Sequence, residues 1–234
     1  MDNVESIRRQ LLVKYQTSEF VIDKSGVKTI ELVGTSFIAD EPAIFGKPNI
    51  EYIARELEWY QSQSLNVNDI RGVTPKIWQE VASPEGLINS NYGYLVDSYK
   101  NGDQYINVLN ELLINPHSRR AVMIYTRPTM HTDYNKDGMS DFICTNTVQY
   151  LIRSSKMHAV VQMRSNDLIF GYANDYAWQE YMLNSLISDY NGVNGDNPLL
   201  KGNITWQVGS LHLYERHFKY IEDYLYLVNN ITYC

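Results

Sequence analysis

Residues 19–38, EFVIDKSGVKTIELVGTSFI, are rich in Val, Ile and Thr and are broken at Ser25-Gly26, the pattern of strand, turn and strand. A short amphipathic helix precedes them. The period then changes: Ile50, Ile53, Leu57 and Tyr60 recur at helical spacing behind the capping residue Asn49, with Glu56 and Glu58 beside that stripe. Thr74-Pro75 opens another helix by the cap-then-proline rule, and DQYINVLNELLINP forms a further one that stops before Pro116. Strands return at RRAVMIYTRP, and NTVQYLIRSSKMHAVVQMRS reads as a hairpin turning at Ser154 and Ser155. A long helix over about Tyr172 to Asp189 leads to a strand in NITWQVGSLHLY. A last helix in ERHFKYIEDYLYLV carries Phe218, Ile221, Leu225 and Val228 at helical spacing. The mixture predicts an α+β fold: a mixed or antiparallel sheet covered by helices, as a single domain over residues 1–234. No repeat, low-complexity tract or interdomain linker interrupts it.

Composition narrows the function classes. With 234 residues, 44% of them hydrophobic, the chain can bury one large core. A formal net charge of −7 argues against a surface given over to nucleic acid or anionic membrane, while leaving room for a concentrated basic pocket. Cys144 and Cys234 provide neither a disulfide framework nor zinc-ligand spacing, so a reducing cytoplasm and no metal are expected. The N-terminal MDNVESIRRQLLVKY lacks an apolar signal core, and no run approaches the ~20 apolar residues of a membrane span. A soluble intracellular protein is the expectation.

Several clusters carry candidate chemistry beside plainer readings. DYNKDGMSD begins like a calcium loop, but its twelfth position is Cys144 rather than Glu, so a polar turn is expected. Arg119-Arg120 is a solvated edge pair or, with Arg164-Ser165, part of an anion pocket, since guanidinium groups grip phosphate bidentately. His212 and Tyr214, two apart on a strand, share a face that is either rim or a hydroxyl-binding surface. Glu56 is an exposed helix residue or a carboxylate raised for proton transfer. Cys144, in the apolar strand-like DFICTNTVQYLIR, is a structural thiol or a nucleophile in need of cationic neighbours.

Taken in order, DKSG, RELEW, KIWQEV, NSNYGY, SRR, CTNTVQ, MRSNDLIFGYANDYAWQ and GSLHLY resemble the thymidylate synthase family over nearly the whole chain. The resemblance is closer to its deoxycytidylate hydroxymethylase branch, known from T-even-type phages. It implies a homodimer acting on a pyrimidine nucleotide with 5,10-methylenetetrahydrofolate as co-substrate. Cys144 is then the nucleophile that adds to C6. Lys24, Arg164 and Ser165 bind phosphate from the same subunit, Arg119 and Arg120 from the other, and this positive charge favours the thiolate. Gln149 helps fix the nucleotide, His212 and Tyr214 bind the deoxyribose hydroxyl, and Glu56 manages protons and water. Trp78 and Asp167 face the folate, and Tyr92 lies near C5.

Departures from the synthases matter as much. Where they carry Asn, FGYANDYAW has Asp175. A carboxylate accepts from the 4-amino group of cytosine and supports protonation at N3, so Asp175 points to dCMP. Pro before and His after the cysteine are replaced by Ile143 and Thr145, which alters water handling and suits water, rather than a hydride, attacking the exocyclic methylene intermediate. The chain ends soon after its last helix, at NNITYC, so the synthases' C-terminal lid is not carried over. The expected activity is conversion of dCMP to 5-hydroxymethyl-dCMP in the cytoplasm, that of the host cell for a phage protein. Other enzymes of phage deoxynucleotide synthesis are candidate partners. The alternatives are a thymidylate synthase, a dUMP hydroxymethylase, or a non-catalytic nucleotide-binding scaffold.

Overall fold

The computed structural model describes residues 1–231, and Cys234 lies outside them. Its strands are β1 (Asp2–Asn3), β2 (Val21–Ile22), β3 (Lys28–Ile38), β4 (Val122–Ile124), β5 (Thr145–Arg153), β6 (Lys156–Asp167) and β7 (Leu200–Tyr214). They form one seven-stranded sheet in the order β1-β3-β7-β6-β5-β4, with β2 paired to β3. The helices are α1 (Val4–Gln16), α2 (Ile50–Ser62), α3 (Lys76–Val81), α4 (Tyr92–Asp97), α5 (Gln104–Ile114), α6 (Met130–Asp133), α7 (Gly171–Val193) and α8 (Lys219–Ile231). Strands β5 and β6 make the expected hairpin, with φ of 51° at Ser154 and 57° at Ser155. Two positive φ values match the twist of the strands they join. β6 and β7 run parallel and therefore need a crossover, which α7 supplies by packing back on both.

A row of irregularities crosses the sheet. Pairing skips Gly34 and Gly209 between β3 and β7, Arg164 and Gly209 between β6 and β7, and Asn146 between β5 and β6. Register shifts by one residue at Asn146 and is kept at the other two positions, and along each of β5, β6 and β7 the inward–outward alternation is reversed beyond the row. Hence Thr145 and Val148, Met163 and Asn166, and Val208 and Leu211 are buried pairs three apart rather than two. At the centre of the row the chains touch: a Cβ on Gly209 would lie 2.8 Å from the carbonyl oxygen of Arg164.

Two local expectations are corrected. The buried face of α2 is formed by Tyr52, Glu56, Trp59 and Tyr60, while Ile50 is 69% exposed. Glu56 thus lies on the buried stripe, not beside it. Large rings outweigh isoleucines in buried area, and their polar tips tolerate a carboxylate. Helix α3 begins at Lys76 with Pro75 at the cap position, because the Thr74 hydroxyl donates to Val67 O (3.3 Å) instead of capping.

Helix α4 is too short to show a period. Its cap, Asn91, accepts from Tyr94 N (2.8 Å) and donates to Trp59 O (2.9 Å) and Ser64 O (2.8 Å), tying α4 to the end of α2. A Cβ on Gly93 would meet Tyr60 O at 1.9 Å, so glycine permits this approach and brings Tyr92 beside the helix of Glu56.

The core includes Phe37, Tyr150, Trp178 and Trp206. The sheet's other face is open: Thr147 donates to Gln162 (2.9 Å) and Gln162 to Gln207 (3.1 Å), flanked by Val33 at 78% and Ile124 at 53% exposure.

Candidate active site

Cys144 lies immediately ahead of β5 rather than within it. Arg164 takes the carbonyls that a neighbouring strand would have used: Nε donates to Ile143 O (2.9 Å) and Nη2 to Phe142 O. The same Nη2 lies 3.4 Å from Cys144 Sγ, and the Arg164 backbone N–H donates to Cys144 O at 2.9 Å. On the other side Asp141, buried, accepts from Asn89 N (2.6 Å), Ser90 N (2.8 Å) and Ser90 Oγ (2.7 Å). The segment carrying the sulfur is therefore clamped at both ends. Burial pushes the Cys144 thiol up to about 11, with Arg164 opposing and Asp175 and Asp141 assisting. Within one chain, then, burial outweighs the guanidinium at the Cys144 sulfur.

Asp175, near the start of α7, is gripped from two sides. Tyr92 donates to Oδ1 (3.0 Å) while accepting from Thr145 Oγ1 (2.9 Å). Asn166 Nδ2 donates to Oδ2 (2.7 Å), and Asn166 Oδ1 accepts from Trp206 Nε1 (3.2 Å). Burial, then the charge of Glu56, raises the Asp175 carboxyl to about 7 against the pull of those two donors. An acid poised there exchanges a proton readily near neutrality. Tyr92 uses its hydroxyl to hold Asp175, and Thr145 uses its own to orient Tyr92.

Glu56 is 4% exposed, and burial raises it to about 7, opposed by hydrogen bonds from Tyr52 and Trp78. Both bonds fall on Oε1, Tyr52 at 2.6 Å and Trp78 Nε1 at 3.1 Å, and Trp78 Nε1 also lies 2.8 Å from Tyr52 Oη. The indole N–H of Trp78 is thus shared between the Tyr52 hydroxyl and Glu56.

The nearby rim carries several other expected residues. His212 and Tyr214 meet edge to face at 5.0 Å, and Arg216 stacks over Tyr214 at 4.4 Å. Tyr214 pairs with Thr29 across β7 and β3, next to the exposed turn bearing Lys24. Ser165, half-buried, pairs with Ser210. Asp167 Oδ1 accepts from Ile169 N (3.0 Å) and Phe170 N (2.8 Å) at the entry to α7, while its Oδ2 is buried without a partner.

Three residues lie apart. The Arg119-Arg120 pair precedes β4 at the level of Gln149 and Tyr150, roughly 15 Å along β5 from Cys144. Arg120 pairs with Glu111 at 3.0 Å, beside a cavity of about 470 Å³, and Gln149 donates to Arg119 O at 2.8 Å. Sequence reasoning missed Tyr52, Asn166, Asp141 and Arg216. Asn166 lies inside a recognised motif and Arg216 adjoins another, whereas Tyr52 is signalled only by lying one helical turn before Glu56. Among the described residues no cluster of His, Cys, Asp and Glu could hold a metal ion, and no helix is long and apolar enough to cross a membrane.

Comparison with known proteins gives a consistent picture. The thymidylate synthase family matches residues 16–228. The chain is 61% identical over 221 residues to the deoxycytidylate 5-hydroxymethyltransferase of Enterobacteria phage T4, across 94% of this chain and 89% of that protein. The enzyme of the same name from Enterobacteria phage T6 aligns with 61% identity and the same coverage. The thymidylate synthase of Bacillus subtilis subsp. natto is 29% identical over 170 residues, 70% of this chain and 57% of that protein.

Proposed function

The chain belongs to the thymidylate synthase family, and on that premise we propose that it converts dCMP, methylenetetrahydrofolate and water into 5-hydroxymethyl-dCMP and tetrahydrofolate. The observation that carries this reading is Asp175: a buried carboxyl raised to about 7, oriented by Tyr92 and Asn166, whose field reaches the Cys144 sulfur. As a carboxylate it accepts from the 4-amino group of cytosine, and as an acid it donates to N3. Uracil reverses both edges.

Chemistry follows from that placement. Cys144 loses its proton and its sulfur bonds to C6, while the C5–C6 electron pair moves toward C5 and the charge is relieved at N3 by Asp175. The folate supplies the one-carbon unit. Two features fit its binding beside Trp78: the unpartnered buried oxygen of Asp167, and apolar surface at Val73 and Ile77, 81% and 59% exposed. Once C5 has lost its proton and the folate nitrogen has left as tetrahydrofolate, water adds to the exocyclic carbon, with Glu56 accepting its proton as sulfur leaves C6. Lys24, Arg164 and Ser165 hold phosphate, His212 and Tyr214 hold the deoxyribose hydroxyl, and Gln149 helps fix the nucleotide by holding the backbone of Arg119.

The working unit is a homodimer joined through the open sheet face. Exposed Val33 and Ile124 around a glutamine row support that interface. Arg119 and Arg120, remote from their own sulfur, then serve the second subunit, where their charge favours the thiolate. Mixing inactive Arg119→Ala and Cys144→Ala chains should restore activity toward a quarter of wild type under subunit exchange. An inactive mixture of demonstrated heterodimers excludes shared arginines. The relatives' phage origin supports a location in the host cytoplasm, with other enzymes of deoxynucleotide synthesis as proposed partners.

The activity is tested by incubating the protein with methylenetetrahydrofolate and either dCMP or dUMP and weighing the products. A dCMP product heavier by CH₂O is expected. Methylated dUMP as sole product overturns the reading.

A further inference from the structure

Tyr52 has no part in the roles assigned above, yet it lies against the group that receives the water proton. One turn before Glu56 on α2, it is almost fully buried, and its phenol donates a 2.6 Å hydrogen bond to Glu56 Oε1. The backbone fixes that tyrosine, because Tyr52 N donates to the cap oxygen of Asn49 at 3.1 Å, and Arg55 covers the ring at 5.5 Å. Trp78 reaches the same pair from α3, its Nε1 lying 2.8 Å from Tyr52 Oη and 3.1 Å from Glu56 Oε1. Both donors therefore converge on one carboxylate oxygen, and among the described residues neither falls on Oε2.

Resting on the activity proposed above, we infer that Tyr52 is a positioning residue: it occupies Oε1 of Glu56 so that Oε2 is the oxygen presented to the water that becomes the product hydroxyl. As the water oxygen bonds to the exocyclic carbon, one O–H bond breaks and its proton passes to Oε2. The exocyclic double-bond pair returns to the ring and expels sulfur from C6, and the released thiolate recovers the proton from Glu56. Without that bond the carboxylate would turn more freely about its last single bond, and fewer of its orientations would aim an oxygen lone pair at the water.

Tyr52 suits a permanent donor. Burial and the neighbouring Glu56 charge hold its phenol far above the ordinary tyrosine range, so it keeps its proton throughout the working range. Its bond favours the charged form of Glu56 and partly offsets burial. The other titratable groups near Glu56 are Tyr60 on α2, also raised by burial, and Asp175 on α7, whose carboxyl titrates in the same range.

The test compares Tyr52→Phe with site-specific 3-fluorotyrosine, which keeps the ring and strengthens the donor. Tyr52→Phe should move the ascending limb of the kcat–pH profile up by about one unit and lower kcat at pH 7 about fivefold, with KM for dCMP unchanged. Fluorotyrosine should move the limb down. Limbs at the wild-type position in both overturn the inference, as does a change confined to KM. Should Tyr52→Phe fail to fold, fluorotyrosine decides alone. In the enzyme without substrate, the Glu56 carboxyl stretch, assigned by its loss in Glu56→Gln and so separated from Asp175, should titrate higher in Tyr52→Phe. An unmoved titration also overturns the inference. That readout stands apart from the activity reading, which fails only if wild type makes no 5-hydroxymethyl-dCMP.

Discussion

Cys144→Ser should lose turnover by on the order of 10⁴-fold or more while dCMP binding changes little. Burial holds the thiol at about 11, and Arg164 of the same chain, 3.4 Å away, works in its favour. A hydroxyl starts several units less acidic, and nothing in the pocket closes that gap. The clamp on the segment does not depend on sulfur: Arg164 binds the carbonyls of Phe142 and Ile143, and Asp141 binds the backbone of Asn89 and Ser90. The nucleotide cradle should therefore survive. Single-turnover product formation and calorimetric dCMP titration measure the two halves, and substantial remaining turnover would remove the sulfur from the mechanism.

The second large effect is a change of substrate. Asp175→Asn should shift the ratio of kcat/KM for dCMP over dUMP by roughly 10³-fold toward dUMP. Matched against unpaired buried polar groups reach ~10⁴–10⁵ in the best sites. Less is expected here because the carboxyl, raised to about 7, already spends part of its time as an acid. The surroundings can accept the amide: its oxygen takes the bond from Asn166, and its NH₂ donates to the Tyr92 hydroxyl, which then rotates. Fold and pocket are thus kept while the edge read on the base is inverted. The variant's dUMP profile should also lack the ionisation that Asp175 contributes near neutrality. An unchanged ratio in competition with both nucleotides would mean that another group reads the base.

Both effects were visible as residue identities before any fold was known, and the sequence by itself determined more than those. Alternating and helical periods placed the long elements, and the serine pair at 154–155 set the hairpin. These are local properties, decided by φ/ψ preference and by which face of a strand or helix is apolar. Ordered motifs likewise selected the residues around the sulfur, because chemistry requires particular functional groups whatever holds them.

Tertiary structure alone decided how those groups are set. The row of irregularities through Gly34, Gly209, Arg164 and Asn146 reverses the strand alternation, so Arg164 keeps its outward direction and grips the carbonyls before Cys144 while Asn166, two residues on, turns inward to Asp175. A bulge depends on pairing with another strand and leaves little trace in either sequence. The burial of Glu56 depends on Trp78, twenty-two residues along the chain, and on the fit of α4 at Gly93. Within one chain the proton affinity of the thiol is set by desolvation, by Arg164 opposing it and by Asp175 and Asp141 assisting it, and each of these depends on depth and distance rather than on residue type. Identity is written along the chain, whereas proton affinity and orientation depend on distances between residues that only folding brings together.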